Sequence, residues 1–200
     1  MAEPDTTDVP QGSEELEKQG FEGIVHALMK STDPKIRQYA AYLLGKTKNP
    51  HAIQPLIEAL ADLEKPVREQ ATLALSSIGK AAIKPLIETL QEPKWQTRYR
   101  AAEALGGIAD ENVVKPLIRT LKDNRDHVRY MAAKGLSGLG DSRAVEPLVI
   151  LLKDENRYVR MMAVRALAAI GGKTVEEALA EASFSEPDEK VREAIREALG

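Results

Sequence analysis

An apolar residue followed by arginine returns along this chain at a nearly fixed step, at Ile36-Arg37, Val67-Arg68, Val128-Arg129, Val159-Arg160 and Val191-Arg192, with Thr97-Arg98 filling the remaining place. Successive arginines stand 31, 30, 31, 31 and 32 residues apart. A second column keeps the same step, Pro-Leu followed by Ile or Val at Pro55-Leu56-Ile57, Pro85-Leu86-Ile87, Pro116-Leu117-Ile118 and Pro147-Leu148-Val149. Chance agreement of two columns in phase over four cycles is negligible. Self-similarity at this period means a fold made by stacking copies of one small unit, none of which can bury its apolar face alone.

Within one copy, Val128, Ala132, Gly135, Leu136 and Leu139 are spaced as one face of an amphipathic helix, and Gly140 supplies its stop. After the short link Asp141-Ser142-Arg143, residues Ala144, Val145, Leu148, Leu151 and Leu152 repeat the pattern. Each unit is therefore two helices. Pro147 and its counterparts fall within about a turn of the second helix's start, where a missing N–H is tolerated. Asp33-Pro34 reads as an N-cap followed by proline at the first position of a first helix. The spacing gives five full units from about residue 33 to 184. A half unit precedes them, its Gly23-Ile24-Val25 aligned with the Pro-Leu-Ile column, and a last first helix over 188–200 follows; both should act as caps.

Composition agrees with an all-helical chain. Aromatic residues are only 4% of the sequence, so the core must come from Leu, Ile, Val and Ala, which suits close helix packing. Residues 1–12, rich in Pro, Asp, Thr and Gly, offer no apolar face and are expected to form a flexible tail ahead of a single repeat domain over 13–200. A formal net charge of -3 gives no drive towards phosphate backbones or anionic lipid. No apolar run is long enough to span a bilayer, and the stretch from Met1 to Ser13 lacks the basic-then-apolar pattern of an export signal. The absence of cysteine removes disulfides, thiolate metal sites and cysteine nucleophiles together. Cytoplasmic residence is the expectation.

The blocks Val128-Arg129-Tyr130-Met131-Ala132-Ala133 and Ala144-Val145-Glu146-Pro147-Leu148 resemble the HEAT repeat, and specifically the short HEAT-like subclass found in phycobilisome lyase subunits and in deoxyhypusine hydroxylase. The resemblance covers residues 20 to 200 or so. It implies an all-α, armadillo-like solenoid, a right-handed α-α superhelix of about five two-helix repeats with capping half repeats. It does not fix function, because the subclass mixes enzymes, chaperone-like subunits and plain scaffolds.

Six arginines at one structural position form a ladder that invites a phosphate-binding reading. Against it stands a column of acids two positions after the last leucine of each second helix, Asp62, Glu92, Asp123 and Asp154. Each acid closes one unit just before the Arg that opens the next. Arg–carboxylate pairs together with hydrogen bonds to loop carbonyls would set the angle between neighbouring units, and the guanidinium fork suits that geometry.

Signs of catalysis are missing. The three histidines, His26, His51 and His127, are followed by Ala, Ala and Val. The di-iron site of deoxyhypusine hydroxylase is built from His-Glu pairs on successive units, so the resemblance does not carry that activity here. There is no HExxH, CxxC, P-loop or GxSxG pattern, and no metal or cofactor is expected. Gly106-Gly107 and Gly171-Gly172 look like phosphate loops but sit late in, or just after, first helices, where close packing or helix termination explains them. Trp95, in the junction Pro93-Lys94-Trp95-Gln96, is read as a plug beside Thr97, with an interface anchor as the competing reading.

The expected function is therefore a non-catalytic scaffold or adaptor, monomeric, that binds another protein or peptide segment rather than nucleic acid or membrane. In HEAT-like solenoids the second helices line the concave face. Their non-core positions here are Gln54, Lys84, Lys115 and Glu146 before the repeated proline, and Glu58, Glu88, Arg119 and Ile150 three residues after it, with Arg143 nearby. Such a mixed surface suits a protein segment better than a uniform polyanion. On the first helices, Tyr130, Met131, Met161 and Met162, with Tyr158, form a possible apolar ridge of the adaptable kind used for partner binding, set against ordinary packing along the helix edge. The alternative function is a phycobilin lyase-like or other enzyme-associated subunit; a DNA-binding solenoid is a weaker third.

Overall fold

The computed structural model describes residues 13–200. The tail expected over residues 1–12 lies outside the described residues. Thirteen α-helices account for most of the described chain, and no strand occurs among the described residues. In order they are α1 (Ser13–Lys18), α2 (Gly20–Lys30), α3 (Pro34–Thr47), α4 (Ile53–Ala59), α5 (Lys65–Ile78), α6 (Ile83–Thr89), α7 (Trp95–Gly106), α8 (Val114–Thr120), α9 (Asp126–Leu139), α10 (Val145–Leu151), α11 (Arg157–Ile170), α12 (Lys173–Ser185) and α13 (Glu189–Leu199). The five two-helix repeats run from α3/α4 to α11/α12, as the spacing requires.

The chain divides into two compact units, one ending at Ile108 and containing α1–α7, the other Ala109–Gly200 containing α8–α13. In the first unit the first helices α3, α5 and α7 pack one on the next, and each second helix lies against the first helix that follows it, α4 on α5 and α6 on α7. The second helices α2, α4 and α6 also touch in turn. The second unit repeats the plan, with α9 on α11 and α11 on α13, and with α8, α10 and α12 each against the first helix that comes next.

Local chemistry explains these elements. Asp33 caps α3 by accepting from the Lys35 N–H at 2.8 Å, with Pro34 at the first helical position, and Asp188 caps α13 by accepting from Lys190 and Val191. Short second helices start through a 3-10 turn capped by Asn49, Asp110 or Asp141, and the repeated proline then occupies the third α-helical position, where no intrahelical acceptor awaits its absent N–H. Gly140 ends α9 with φ 62°. Two leucine columns form the core: Leu44, Leu75, Leu105, Leu136 and Leu167 from the first helices, and Leu56, Leu86, Leu117, Leu148 and Leu179 from the second, all essentially fully buried. Val128, Ala132, Gly135 and Leu136 are buried as their spacing requires, while Leu139 and Val145 are half-buried.

One core position departs from apolar character. Gln70, two residues after Arg68, is buried on α5, and its side-chain nitrogen has no hydrogen-bond partner. The register-equivalent residues of the second unit are Met131 and Met162, both buried.

Candidate partner-binding surface

The repeated arginines are occupied by the fold. Arg37 donates from Nε and Nη2 to the two carboxylate oxygens of Asp62 at 2.8 and 2.9 Å, and from Nη1 to the Ser31 carbonyl at 3.0 Å. Arg129 engages Asp154 in the same fork at 2.6 and 2.9 Å and reaches the Asp123 carbonyl. Arg160 engages Glu186 at 2.9 and 2.7 Å and reaches the Asp154 carbonyl at 2.9 Å. Arg68, Arg98 and Arg192 likewise donate to the carbonyls of Asp62, Glu92 and Glu186.

The pairing differs from the order suggested by adjacency. Asp62, Asp154 and Glu186 each give their side chain to the arginine 25 or 26 residues before and their carbonyl to the arginine six residues after. The loop between repeats is thus clamped from both sides, because a six-residue link lets the Nη1 donor reach its carbonyl while the carboxylate turns back to the preceding first helix. Burial pushes the Asp62 carboxyl up, but the bonds from Arg37 and the Glu64 N–H outweigh it and hold the group below its ordinary value. The Asp154 bond raises Arg129, and the Glu186 bond raises Arg160. With both edges of the Arg37, Arg129 and Arg160 guanidinium groups satisfied, these three are not a phosphate ladder. Glu186 is missed by the acid column because α12 lacks the Pro-Leu pair that sets the register; its signal is the 32-residue step from Asp154.

The second-helix side chains meet solvent. In the first unit Gln54 and Glu58 on α4, and Lys84 and Glu88 on α6, are all exposed. In the second unit Lys115 and Arg119 on α8, Arg143 in the turn before α10, and Glu146 and Ile150 on α10 are exposed as well, Ile150 at 71%. Arg143 is paired with Asp141 at 2.7 Å, which holds that carboxyl down at about 2. Each unit therefore carries its own row, acidic with one lysine in the first, basic then apolar in the second.

The first-helix ridge does not form as expected. Met131 and Met162 are buried at 3% and 6% exposure, packed where first helices meet, and Tyr130 and Met161 are half-buried. Tyr158 alone stands out, 58% exposed with the Arg157 guanidinium over its ring. In the second unit the second position after the arginine, Met131 or Met162, is buried, so its apolar character records packing. Trp95 is half-buried at the start of α7.

Both glycine pairs have structural roles. A Cβ on Gly107 would stand 2.7 Å from the Ser76 hydroxyl, which itself donates to the Ala104 carbonyl, so this glycine lets the end of α7 approach α5. Gly171 and Gly172 end α11 at φ 71° and 98°, a region closed to other residues without strain. His26 and His51 are exposed, and His127 bonds Asp126 at 2.7 Å. Among the described residues no group of three or more His, Asp and Glu side chains is placed to hold a metal ion, and no helix is long and apolar enough to cross a membrane.

Comparison with known proteins agrees with this architecture. The family model for HEAT repeats matches residues 21–93, 83–152 and 138–200. No curated protein matches this sequence. Among solved structures, a chain from the complex of CpcE and CpcF of phycocyanin lyase from Nostoc is 24% identical with a TM-score of 0.70, over 76% of this chain and 100% of that one. A designed armadillo repeat protein in complex with the peptide (KR)4 is 23% identical with a TM-score of 0.54, over 88% and 98%. Human deoxyhypusine hydroxylase in complex with glycerol is 24% identical with a TM-score of 0.53, over 94% and 75%. At these identities the likeness is one of fold.

Proposed function

Because the chain belongs to the HEAT-repeat family, we propose that it is a non-catalytic scaffold or adaptor of the cytoplasm that binds a segment of another protein along its second helices. The observation that carries this reading is the contrast between a strictly repeating core and the non-repeating solvent side chains on the same short helices. Leu56, Leu86, Leu117 and Leu148 recur at one position, while the exposed residue two positions after each is Glu58, Glu88, Arg119 and Ile150 in turn. Side chains held on rigid helices at regular intervals, without a repeating charge, can match a particular sequence of partner side chains. Repeat proteins of this fold that bind peptides, such as the designed armadillo protein with (KR)4, support the reading by analogy.

The test is affinity capture by the full chain from its source organism, followed by titration of the captured protein and mass spectrometry of it after prolonged mixing. Saturable binding with an unaltered mass is expected. A time-dependent covalent change in the captured protein would replace the scaffold reading with an enzymatic one. Similarity to a chain of the CpcE–CpcF complex favours a second reading, an enzyme-associated subunit of lyase type. Its signature is co-purification with a fixed second subunit or with a pigment.

A further inference from the structure

We propose that the exposed side of α8, together with the end of α10, is the docking site for an acidic segment of another protein. Its carboxylates pair with Lys115, Arg119, Lys122 and Lys153, and an apolar side chain beside them rests on Ile150. The inference rests on the scaffold reading and supplies the chemistry of its partner.

Charge placement in the second unit singles out this surface. Arg129, Arg143, Arg157 and Arg160 of this unit each pair with a carboxylate. Lys115, Arg119, Lys122 and Lys153 are exposed, and among the described residues no carboxylate pairs with any of them. Lys115 and Arg119 stand one turn apart on α8, about 6 Å along its axis, and Lys122 follows in the turn that ends it. Lys153 is the residue one repeat after Lys122, 31 positions on, in the turn that ends α10. The 3-10 turn that opens α10 packs against α8, so the two rows lie side by side. The chain as a whole has a formal net charge of -3, which makes this concentration of cations a local feature. The fold does not require it, because the place of Arg119 is held in other repeats by Glu58, Glu88 and Ile150, and that of Lys122 by Ala61 and Gln91.

The surface is apolar as well as basic. Ile150 is 71% exposed, and the half-buried Ile118 and Val149 lie on the same two helices. A lone exposed isoleucine is ordinary. Here it takes the Arg119 position of the next repeat and stands one turn before Lys153, so cations without counter-charges border it along and across the helices. A partner that offers carboxylates beside one apolar side chain complements both features. A nucleic-acid backbone does not. Glu146 on α10 and Glu181 on α12 are exposed on either side of Ile150, at the preceding turn and in the next repeat, and would repel a polyanion that ran across the unit. A short acidic segment ends before it meets both. In an extended segment, side chains two positions apart are about 7 Å from one another, close to the step from Lys115 to Arg119. Two acids at that spacing, or four positions apart in a helical segment, reach both cations together.

The test is selection of a displayed random 16-residue peptide library on the full chain, followed by titration of the selected peptides, made synthetically, against three variants. Selected peptides are expected to carry two or more acids beside one large apolar residue. Their affinity should fall at least tenfold for Lys115→Glu with Arg119→Glu and at least tenfold for Ile150→Ser, at unchanged melting temperature. Lys134→Glu with Arg165→Glu makes the same change in net charge on the first helices α9 and α11 and should leave affinity unaltered. Equal losses in the two charge variants would make the attraction a general one and overturn the site. Duplex DNA that binds the parent more tightly than the selected peptides, and weakens in Lys115→Glu with Arg119→Glu, would overturn the acidic protein segment as the occupant. Enrichment of basic peptides that depend on Glu58 and Glu88 would overturn the inference while leaving the scaffold reading intact. A library from which nothing is enriched would also overturn the inference, and the affinity capture described above then decides the scaffold reading by itself.

Discussion

Replacing Arg160 with Met should destabilise the second unit by about 3–5 kcal/mol, the loss that follows when one member of a buried ion pair is removed and the other is left behind. The size follows from the geometry. The Arg160 and Glu186 side chains are only 10% and 4% exposed. Arg160 makes two charge-assisted bonds to Glu186 at 2.9 and 2.7 Å and two more to the carbonyls of Asp154 and Glu155 at 2.9 and 3.2 Å. Methionine keeps much of the stem's packing, so the change removes the head group's bonds and little else. Adding Glu186→Gln to Arg160→Met should recover part of the loss, because a neutral amide no longer carries an unpaired buried charge. The assay is urea unfolding followed by circular dichroism, with amide hydrogen exchange to localise the effect. Faster exchange should appear in α11, α12 and α13, since each repeat is stabilised by its neighbours. A loss below about 1 kcal/mol, or a double variant less stable than Arg160→Met alone, would refute the clamp as an energetic element.

Three further outcomes follow from the core and the clamps. Gln70→Met should stabilise the protein by about 1 kcal/mol in urea unfolding, because it removes an unpartnered buried amide and installs the residue type of Met131 and Met162. Leu117→Ala should cost about 2–5 kcal/mol by the same assay, as for other fully buried leucines. The Asp62 carboxyl is held below its ordinary value of 3.8 in the folded state, so it contributes stability that is present above that value and is lost as pH falls through the lower folded one. A pH series of melting temperatures should accordingly show Asp62→Asn less stable than the parent at pH 7, with the gap closing below about pH 4.

The fold was legible because the repeat reports both helices at once. The leucines at 56, 86, 117 and 148 carry burial and helical phase in the same column, and Asp33-Pro34 and Gly140 mark helix ends by local chemistry that needs no tertiary context. What pairs across space was less legible. Asp62, Asp154 and Glu186 lie close in sequence to the arginine that follows them, yet their side chains turn to the one that precedes them, a choice set by the path of the loop. Glu186 escaped the column because its repeat lacks the proline and gains a residue. The surface row at 54, 58, 84, 88, 115, 119, 146 and 150 was visible because the core periodicity fixes by subtraction which positions face water. The methionine ridge was misplaced for the opposite reason. In a stacked repeat the flank of a first helix is buried by the next copy, which the amphipathic pattern of a single helix does not report.

The central claim is that the second helices, rather than the first, carry the binding surface. It is tested most directly by titrating one captured partner against three variants of the full chain: Glu58→Lys with Glu88→Lys, Arg119→Glu with Ile150→Ser, and Lys134→Glu with Arg165→Glu on the exposed side of the first helices α9 and α11. Solvated side chains contribute little to folding, so all three should melt with the parent. The account predicts at least a tenfold loss of affinity in one or both second-helix variants and none in the first-helix variant. A loss confined to Lys134→Glu with Arg165→Glu would contradict it.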